Sequence, residues 1–178
     1  MFHVNDTVVY GTTGVCLITD ISEKEFYGKK IKYYTLKPIY QKASVIFVPM
    51  NNAKLKSKMR PVLSATEIYS IIRSFSDVEE GWIENDNARR ERFTEILKSG
   101  ERKDLVRMIK SLCAHRETQK ENGRKLHASD ERILNEAQKL LYEEFAHVLK
   151  IEPEQVLPLI LNEISVEEKD NTNYTALK

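Results

Sequence analysis

No apolar run in this chain approaches the ~18 residues that a membrane span needs, and no charged segment followed by an apolar core opens it. A spanning or signal-led protein is not expected, and the cytosol is the default compartment. Cysteine is scarce: Cys16 and Cys113 are the only two, each in an apolar pattern, without CxxC spacing or a neighbouring ligand cluster. They read as structural thiols, ahead of a disulfide or a metal site. The four histidines, His3, His115, His127 and His147, are scattered and show no His-x-x-x-His or mixed Cys/His spacing, so no metal is expected. A GxGxxG or Walker-type loop is also missing, since Gly11 and Gly14 sit inside an expected hairpin rather than between strand and helix. Catalysis, a cofactor and a small-molecule substrate therefore find no residues to carry them.

What is present is charge. Of 178 residues, 31% are charged and 41% hydrophobic, the balance of a globular protein with a highly charged exterior. Domains of ~100–150 residues are typical, so this length holds one domain or two small ones. The net charge of +1 conceals an asymmetry. Residues 1–60 carry ten Lys/Arg against four Asp/Glu, and residues 84–125 carry twelve against eight. Residues 126–178 reverse the sign, with five against eleven. Positive charge is placed rather than spread, and placement is what a polyanion feels.

The first sixty residues read as short strands. Thr7-Val8-Val9-Tyr10 and Val15-Cys16-Leu17-Ile18 flank Gly11-Thr12-Thr13-Gly14, a hairpin signal of β-branched and aromatic residues around a glycine-bearing break. Ser22 to Lys30 reads as a polar connection turning at Gly28. Ile31 to Pro38 then alternates at period two, with Tyr33 and Thr35 on one side and Tyr34 and Leu36 on the other. Ser44 to Pro49 is a further strand, closed by a proline that cannot donate to a ladder. Lys54 to Pro61 is basic and aperiodic and reads as a linker, either merely solvated or a phosphate-contacting strap.

Everything after it reads helical. Ser64-Ala65-Thr66-Glu67 fits a capping box, and Ile68, Ile71, Ile72 and Phe75 fall on one helical face. Ser76 to Gly81 breaks that helix. A second helix is expected from Asp86 to Lys98, stopped by Gly100, and a third from Arg102 to Thr118. Ser129 reads as the N-cap of a fourth, with Asp130 and Glu131 complementing its dipole. Pro153 starts a short fifth that Pro158 should kink or restart. The expected fold class is α+β: a small Tudor-like or SH3-like β-barrel with basic linker over residues 1–60, an all-helical domain over 61–164, and a disordered tail over 165–178.

The candidate site is a set of cations. Lys103, Arg107 and Lys110 stand at i, i+4 and i+7 on the third helix, away from Leu105, Ile109 and Leu112. Arg89, Arg90 and Arg92 crowd the start of the preceding helix. If the two helices pack side by side, these six form one patch able to follow a phosphate backbone with salt-sensitive affinity. Interleaved Glu91, Glu95, Glu101 and Asp104 offer the competing explanation, ordinary ion pairing on solvated helices. Trp82, the only tryptophan, is either a packing residue or a wedge stacked against an opened base step of DNA.

Several motifs resemble those of the CarD/CdnL family of bacterial transcription regulators, whose N-terminal Tudor-like module is shared with the transcription-repair coupling factor. Asp6-Thr7-Val8-Val9-Tyr10, the four-residue turn Gly11-Thr12-Thr13-Gly14 and then Val15 resemble that family's opening. Tyr33 to Leu36 resembles its Tyr-x-x-Leu strand, and Val48-Pro49 with Asn52-Ala53 its Val-Pro-x-x-Asn-Ala element. Arg89-Arg90 followed by Leu97-Lys98-Ser99-Gly100 resembles its helical domain. The likeness covers roughly residues 1–150. It implies a non-catalytic protein whose barrel docks on the β subunit of bacterial RNA polymerase, partly through strand edges, and whose helices touch promoter DNA beside the melted region. A tryptophan wedge there helps to keep the open complex from reclosing. By position, Lys24 and Phe47 match two polymerase-contacting sites, with Ile46 and Val48 of the Phe47 strand expected to share in the contact, and the protein would sit on the nucleoid through polymerase. This chain departs from the pattern in having Phe47 for arginine, Thr13 for histidine, Asn5 for glycine, and Trp82 about one turn early. The tail after Ile151 has no counterpart in it.

Apart from that resemblance, a protein–protein adaptor fits as well, its barrel binding another protein edge and its helices making a homodimer or scaffold. An RNA-binding module fits less well, because the barrel shows no row of aromatics interleaved with basic residues.

Overall fold

The computed structural model describes residues 1–26, 29–41, 45–75 and 81–163. The chain divides into two units, Met1–Val62 and Leu63–Lys178. β-Branched and aromatic residues dominate the first, and its strands are β1 (Thr7–Tyr10), β2 (Gly14–Phe26), β3 (Lys29–Pro38), β4 (Ile46–Pro49) and β5 (Met59–Pro61). They form one antiparallel sheet in the order β4-β3-β2-β1-β5. A single 3-10 turn over Gly11–Thr13 joins β1 to β2. It closes through Gly14 at φ 85 and ψ −146, a conformation for which a Cβ would carry a steric penalty.

Two sequence expectations are corrected in this unit. The stretch from Ser22 is not a polar connection, because β2 runs on to Phe26 and pairs with β3 from its first residue, Lys29. Alternating hydrophobicity is missing there because opposite charges pair instead: Glu23 lies across from Lys32 and Glu25 from Lys30. Such cross-strand pairs contribute roughly 0.2–1 kcal/mol each. The expected turn at Gly28 lies outside the described residues, as does Ser44. The second correction concerns the basic linker, which is structured. Asn52 caps the short helix α1 (Ala53–Lys56) by accepting from the Leu55 N–H at 3.0 Å. Thereafter Met59, Arg60 and Pro61 pair with Tyr10, Val9 and Val8 as β5.

Val8, Cys16, Ile18, Tyr34, Leu36, Val48 and Met59 pack together as the core of the sheet. Register shifts by one residue between Ile18 and Asp20, a bulge at Thr19 of the kind that bends a strand; β3 pairs with β2 on both sides of it, while β1 pairs only before it. Asn5 stands at φ 72 with its N–H bonded to the Ile18 carbonyl at 2.8 Å. Asparagine tolerates this left-handed region better than most residues, which explains how the chain dispenses with a glycine at that point.

The second unit is helical: α2 (Ala65–Arg73), α3 (Asp86–Ser99), α4 (Arg102–Glu121), α5 (Ala128–Leu149) and α6 over residues 153–163. The Ser64–Glu67 capping box is formed in both directions, and Gly100 ends α3 at φ 60. Ser129 is not the cap of α5. His127 is, since its carbonyl accepts from Asp130 and Glu131 and its Nδ1 accepts from the Ser129 N–H at 3.3 Å. Helix α6 passes through Pro158 without a break. The expected break over 76–80 and the tail over 165–178 lie outside the described residues. Among those described, no helix is long and apolar enough to cross a membrane. Helix α5 is central and contacts α2, α3 and α4, with Leu134, Ala137, Leu141 and Phe145 wholly buried.

Glu143 on α5 is only 6% exposed, and burial pushes its carboxyl above the ordinary range, with Lys139 opposing. A raised carboxylate pKa means that the folded state binds the proton more tightly. Stability is then highest below the unfolded value and falls as pH rises through the folded one. Glu143→Gln is expected to raise the urea midpoint at pH 7 and to remove that part of the fall, as urea titrations across pH 4 to 8 would show.

Candidate functional site

In the first unit, β3 lies between β2 and the edge strand β4, and strand alternation sends Lys24, Tyr33, Thr35 and Phe47 to the face opposite the core. Lys24 reaches across β3 and places its Nζ 3.4 Å from the centroid of the Phe47 ring. Phe47 is 47% exposed, so the pair is an accessible apolar plate carrying a cation, of a kind contributing ~0.5–1 kcal/mol at exposed sites. Two sequence candidates are thus brought into contact. Their neighbours divide: Ile46 is half-buried and Val48 is wholly buried in the core. Val48 offers a partner only its backbone.

In the second unit the six cations do not form one patch. Arg89 turns inward and is 4% exposed. One Nη2 bonds Asp130 at 2.8 Å and Asp86 at 2.7 Å, and Nη1 donates to the Ile83 carbonyl at 2.7 Å. Burial works against the guanidinium charge, but the bonds to Asp130 and Asp86 more than offset it and hold its pKa above the usual value. The Arg89 bond likewise holds the Asp86 carboxyl below its ordinary range. Arg89 is therefore a structural ion and not a free phosphate contact. The reason is positional: Arg89 precedes Phe93 by four residues and Ile96 by seven, which is the buried face of α3.

The remaining five are exposed or half-exposed. Arg92 and Arg107 do meet across α3 and α4, lining a cleft of about 220 Å³. Asp104 stands between them, 4.0 Å from Arg92 and 3.5 Å from Arg107. Arg90 lies beside Thr94 and Lys98 on a different side of α3, because two residues at ~100° each rotate it about 200° from Arg92. Lys103 and Lys110 stay on the outer side of α4.

Trp82 is half-buried. Its ring stacks on His115 of α4 with centroids 3.6 Å apart and planes 13° from parallel, and the Arg89 guanidinium carbon lies 4.3 Å from the same ring. These three residues share a cleft of about 350 Å³ with Gln119, Lys125 and Asp130. In this arrangement the indole is a packing element joining the entry of α3 to α4.

Sequence reasoning missed the second buried ion pair. Glu144, 3% exposed, receives Arg102 in two bonds of 2.7 and 3.1 Å and the Leu63 N–H at 3.0 Å. A signal for it was present, since Asp130 and Glu144 occupy positions on the apolar stripe of α5, three or four residues from Ile133, Leu134, Leu140 and Leu141.

Comparison with known proteins agrees with this division of the chain. Residues 2–63 match the CarD-like/TRCF RID domain, and residues 67–161 match the CarD C-terminal domain. A relative from Bacillus subtilis (strain 168), named "Putative transcription factor YdeB", is 27% identical over 156 residues, covering 88% of this chain and 97% of the relative. With a Tudor-like sheet and a helical unit each matched along nearly their whole length, the chain belongs to the CarD-like family of transcription factors.

Proposed function

We propose that this chain binds the β subunit of bacterial RNA polymerase through its N-terminal sheet and contacts promoter DNA through its helical unit, stabilising the open initiation complex. One observation carries the reading: Phe47 stands exposed on the edge strand β4 with the Lys24 ammonium, reaching across β3, over its ring, within the residues matched by the RID domain. An exposed edge strand supplies unpaired backbone groups for a partner strand, and an aromatic anchor with an adjoining cation is the composition of interface hot spots. A protein so anchored needs little DNA affinity of its own, because tethering raises the effective DNA concentration to about the millimolar range. The exposed Arg90, Arg92, Lys103 and Arg107 and the half-buried Lys110, although offset by acidic neighbours, can then contribute. Contacts contributing ~1–3 kcal/mol shift a two-state balance roughly five- to 150-fold.

The test is retention of the full-length chain by the isolated polymerase β lobe. Phe47→Ala is expected to weaken it by about tenfold or more, roughly 1–2 kcal/mol, and Lys24→Glu similarly. Both side chains lie outside the core, so the unfolding midpoint should fall by no more than a few degrees, the share of the cation–π pair itself. Retention that is absent in the parent chain, or indifferent to both substitutions, overturns the proposal.

A further inference from the structure

Helix α4 ends in a fixed turn. The Gly123 N–H bonds the Lys120 carbonyl at 2.9 Å and the Arg124 N–H the Gln119 carbonyl at 2.8 Å, with Gly123 at φ 69. This is the Schellman arrangement. The Asn122 side chain ties down the Thr118 carbonyl at 2.8 Å as well. Arg124 and Lys125 are consequently held at a set position beyond the helix rather than on a loose loop. Together with Lys120 and Arg116, about one and two turns back along α4, they line a cavity of about 330 Å³. Its floor is the buried Leu126, and Glu131 is the one acid at its edge.

These cations are available. Arg116 meets Glu131 at 3.8 Å and Lys120 meets Glu117 at 3.6 Å, loose and exposed pairs of the kind contributing ~0–1 kcal/mol. Arg124 and Lys125 are exposed, and no ion pair to either is seen among the described residues. Arg92 and Arg107 are held about as loosely, 4.0 and 3.5 Å from the one carboxylate of Asp104 that they share. Lys125 also lines the neighbouring cleft that holds Trp82 and His115, so the cavity and the indole are parts of one continuous surface.

We infer that this α4–α5 corner is a seat for closely spaced phosphoryl groups, and that it, more than the Lys103/Arg107/Lys110 stripe, supplies the phosphate contacts of the helical unit. The inference rests on the proposed DNA contact for its biological source, while the chemistry is that of any oligophosphate.

Full-length chain is titrated with mixed-sequence duplex DNA at several salt concentrations and, separately, with sodium tripolyphosphate followed by amide NMR shifts. The triple variant Lys120→Ala/Arg124→Ala/Lys125→Ala should weaken duplex binding at least tenfold at low salt. It should also reduce the salt slope by about 2 to 3, at ~0.9 per lost phosphate contact. Tripolyphosphate shifts around residues 116–126 should vanish, and Lys120→Arg/Lys125→Arg should behave as the parent. The stripe triple Lys103→Ala/Arg107→Ala/Lys110→Ala should change the slope by less than about one. If the stripe triple lowers the slope and the corner triple does not, the corner is overturned and DNA contact stands. If tripolyphosphate binds at the corner and duplex binds nowhere, the corner stands as a free-phosphate site and the DNA reading falls. If neither ligand binds the parent chain, both fall.

Discussion

Asp130→Ala should lower the unfolding free energy of the helical unit by about 3–5 kcal/mol, the cost of leaving a buried charge without its partner. Asp130 is 2% exposed and Arg89 4%, and their 2.8 Å bond joins the start of α3 to the first turn of α5. Asp86 would keep its 2.7 Å bond to the same guanidinium, but its side chain is 71% exposed and it sits in high dielectric, where a pair contributes at most ~1 kcal/mol. Among the described residues the Arg89 Nε has no hydrogen-bond partner, and what would remain is the carbonyls of Ile83 and Glu84 and the Trp82 ring, none of them a charge. Urea denaturation followed by circular dichroism measures the loss. The paired replacement Asp130→Leu/Arg89→Met should recover most of it, since an apolar pair of similar volume commonly equals or exceeds a buried ion pair. A loss below about 1 kcal/mol for Asp130→Ala would show that water reaches the guanidinium.

Arg89 also marks where sequence reading stops. Two glycines between β-branched runs located β1 and β2, and the spacing of Ile68, Ile71 and Ile72 located α2, because both signals are local and hydrophobic. The outer halves of β2 and β3 carry the same geometry without the signal: Glu23 and Glu25 face Lys32 and Lys30 in register, exposed residues of opposite charge in place of alternating burial. Strand β5 has three residues and one buried side chain, Met59, too short for any period to register. Among the cations, all three arginines of RRER looked equivalent in a list of charges. Their helical phase separates them, placing Arg89 with Phe93 and Ile96 and the other two on solvent. The contact of Lys24 with Phe47 spans two strands, and no spacing rule in one strand anticipates it. The Trp82–His115 stack is equally non-local, and no spacing in the sequence anticipates it.

Trp82→Ala is expected to cost about 2–4 kcal/mol of helical-unit stability. Large aromatic truncations in cores cost ~3–5 kcal/mol, and half-burial reduces that figure. The stack on His115 adds ~0.5–1.5 kcal/mol and the Arg89 contact up to ~2 kcal/mol where it is desolvated. Both neighbours matter to more than the indole: Arg89 carries the buried pair with Asp130, and His115 fixes the middle of α4 against the segment entering α3. Denaturation has to be followed by circular dichroism, because this is the chain's only tryptophan and the variant has lost that fluorophore. Trp82→Phe keeps a stacking plane and should lose less than half as much. Open-complex lifetime on a polymerase-bound promoter then separates the two roles of the ring. As a packing residue, Trp82→Phe restores lifetime in step with stability. Were the ring a wedge in DNA, Trp82→Ala would shorten lifetime at temperatures where the variant is still fully folded, while its unfolding midpoint stayed within a few degrees of the parent's.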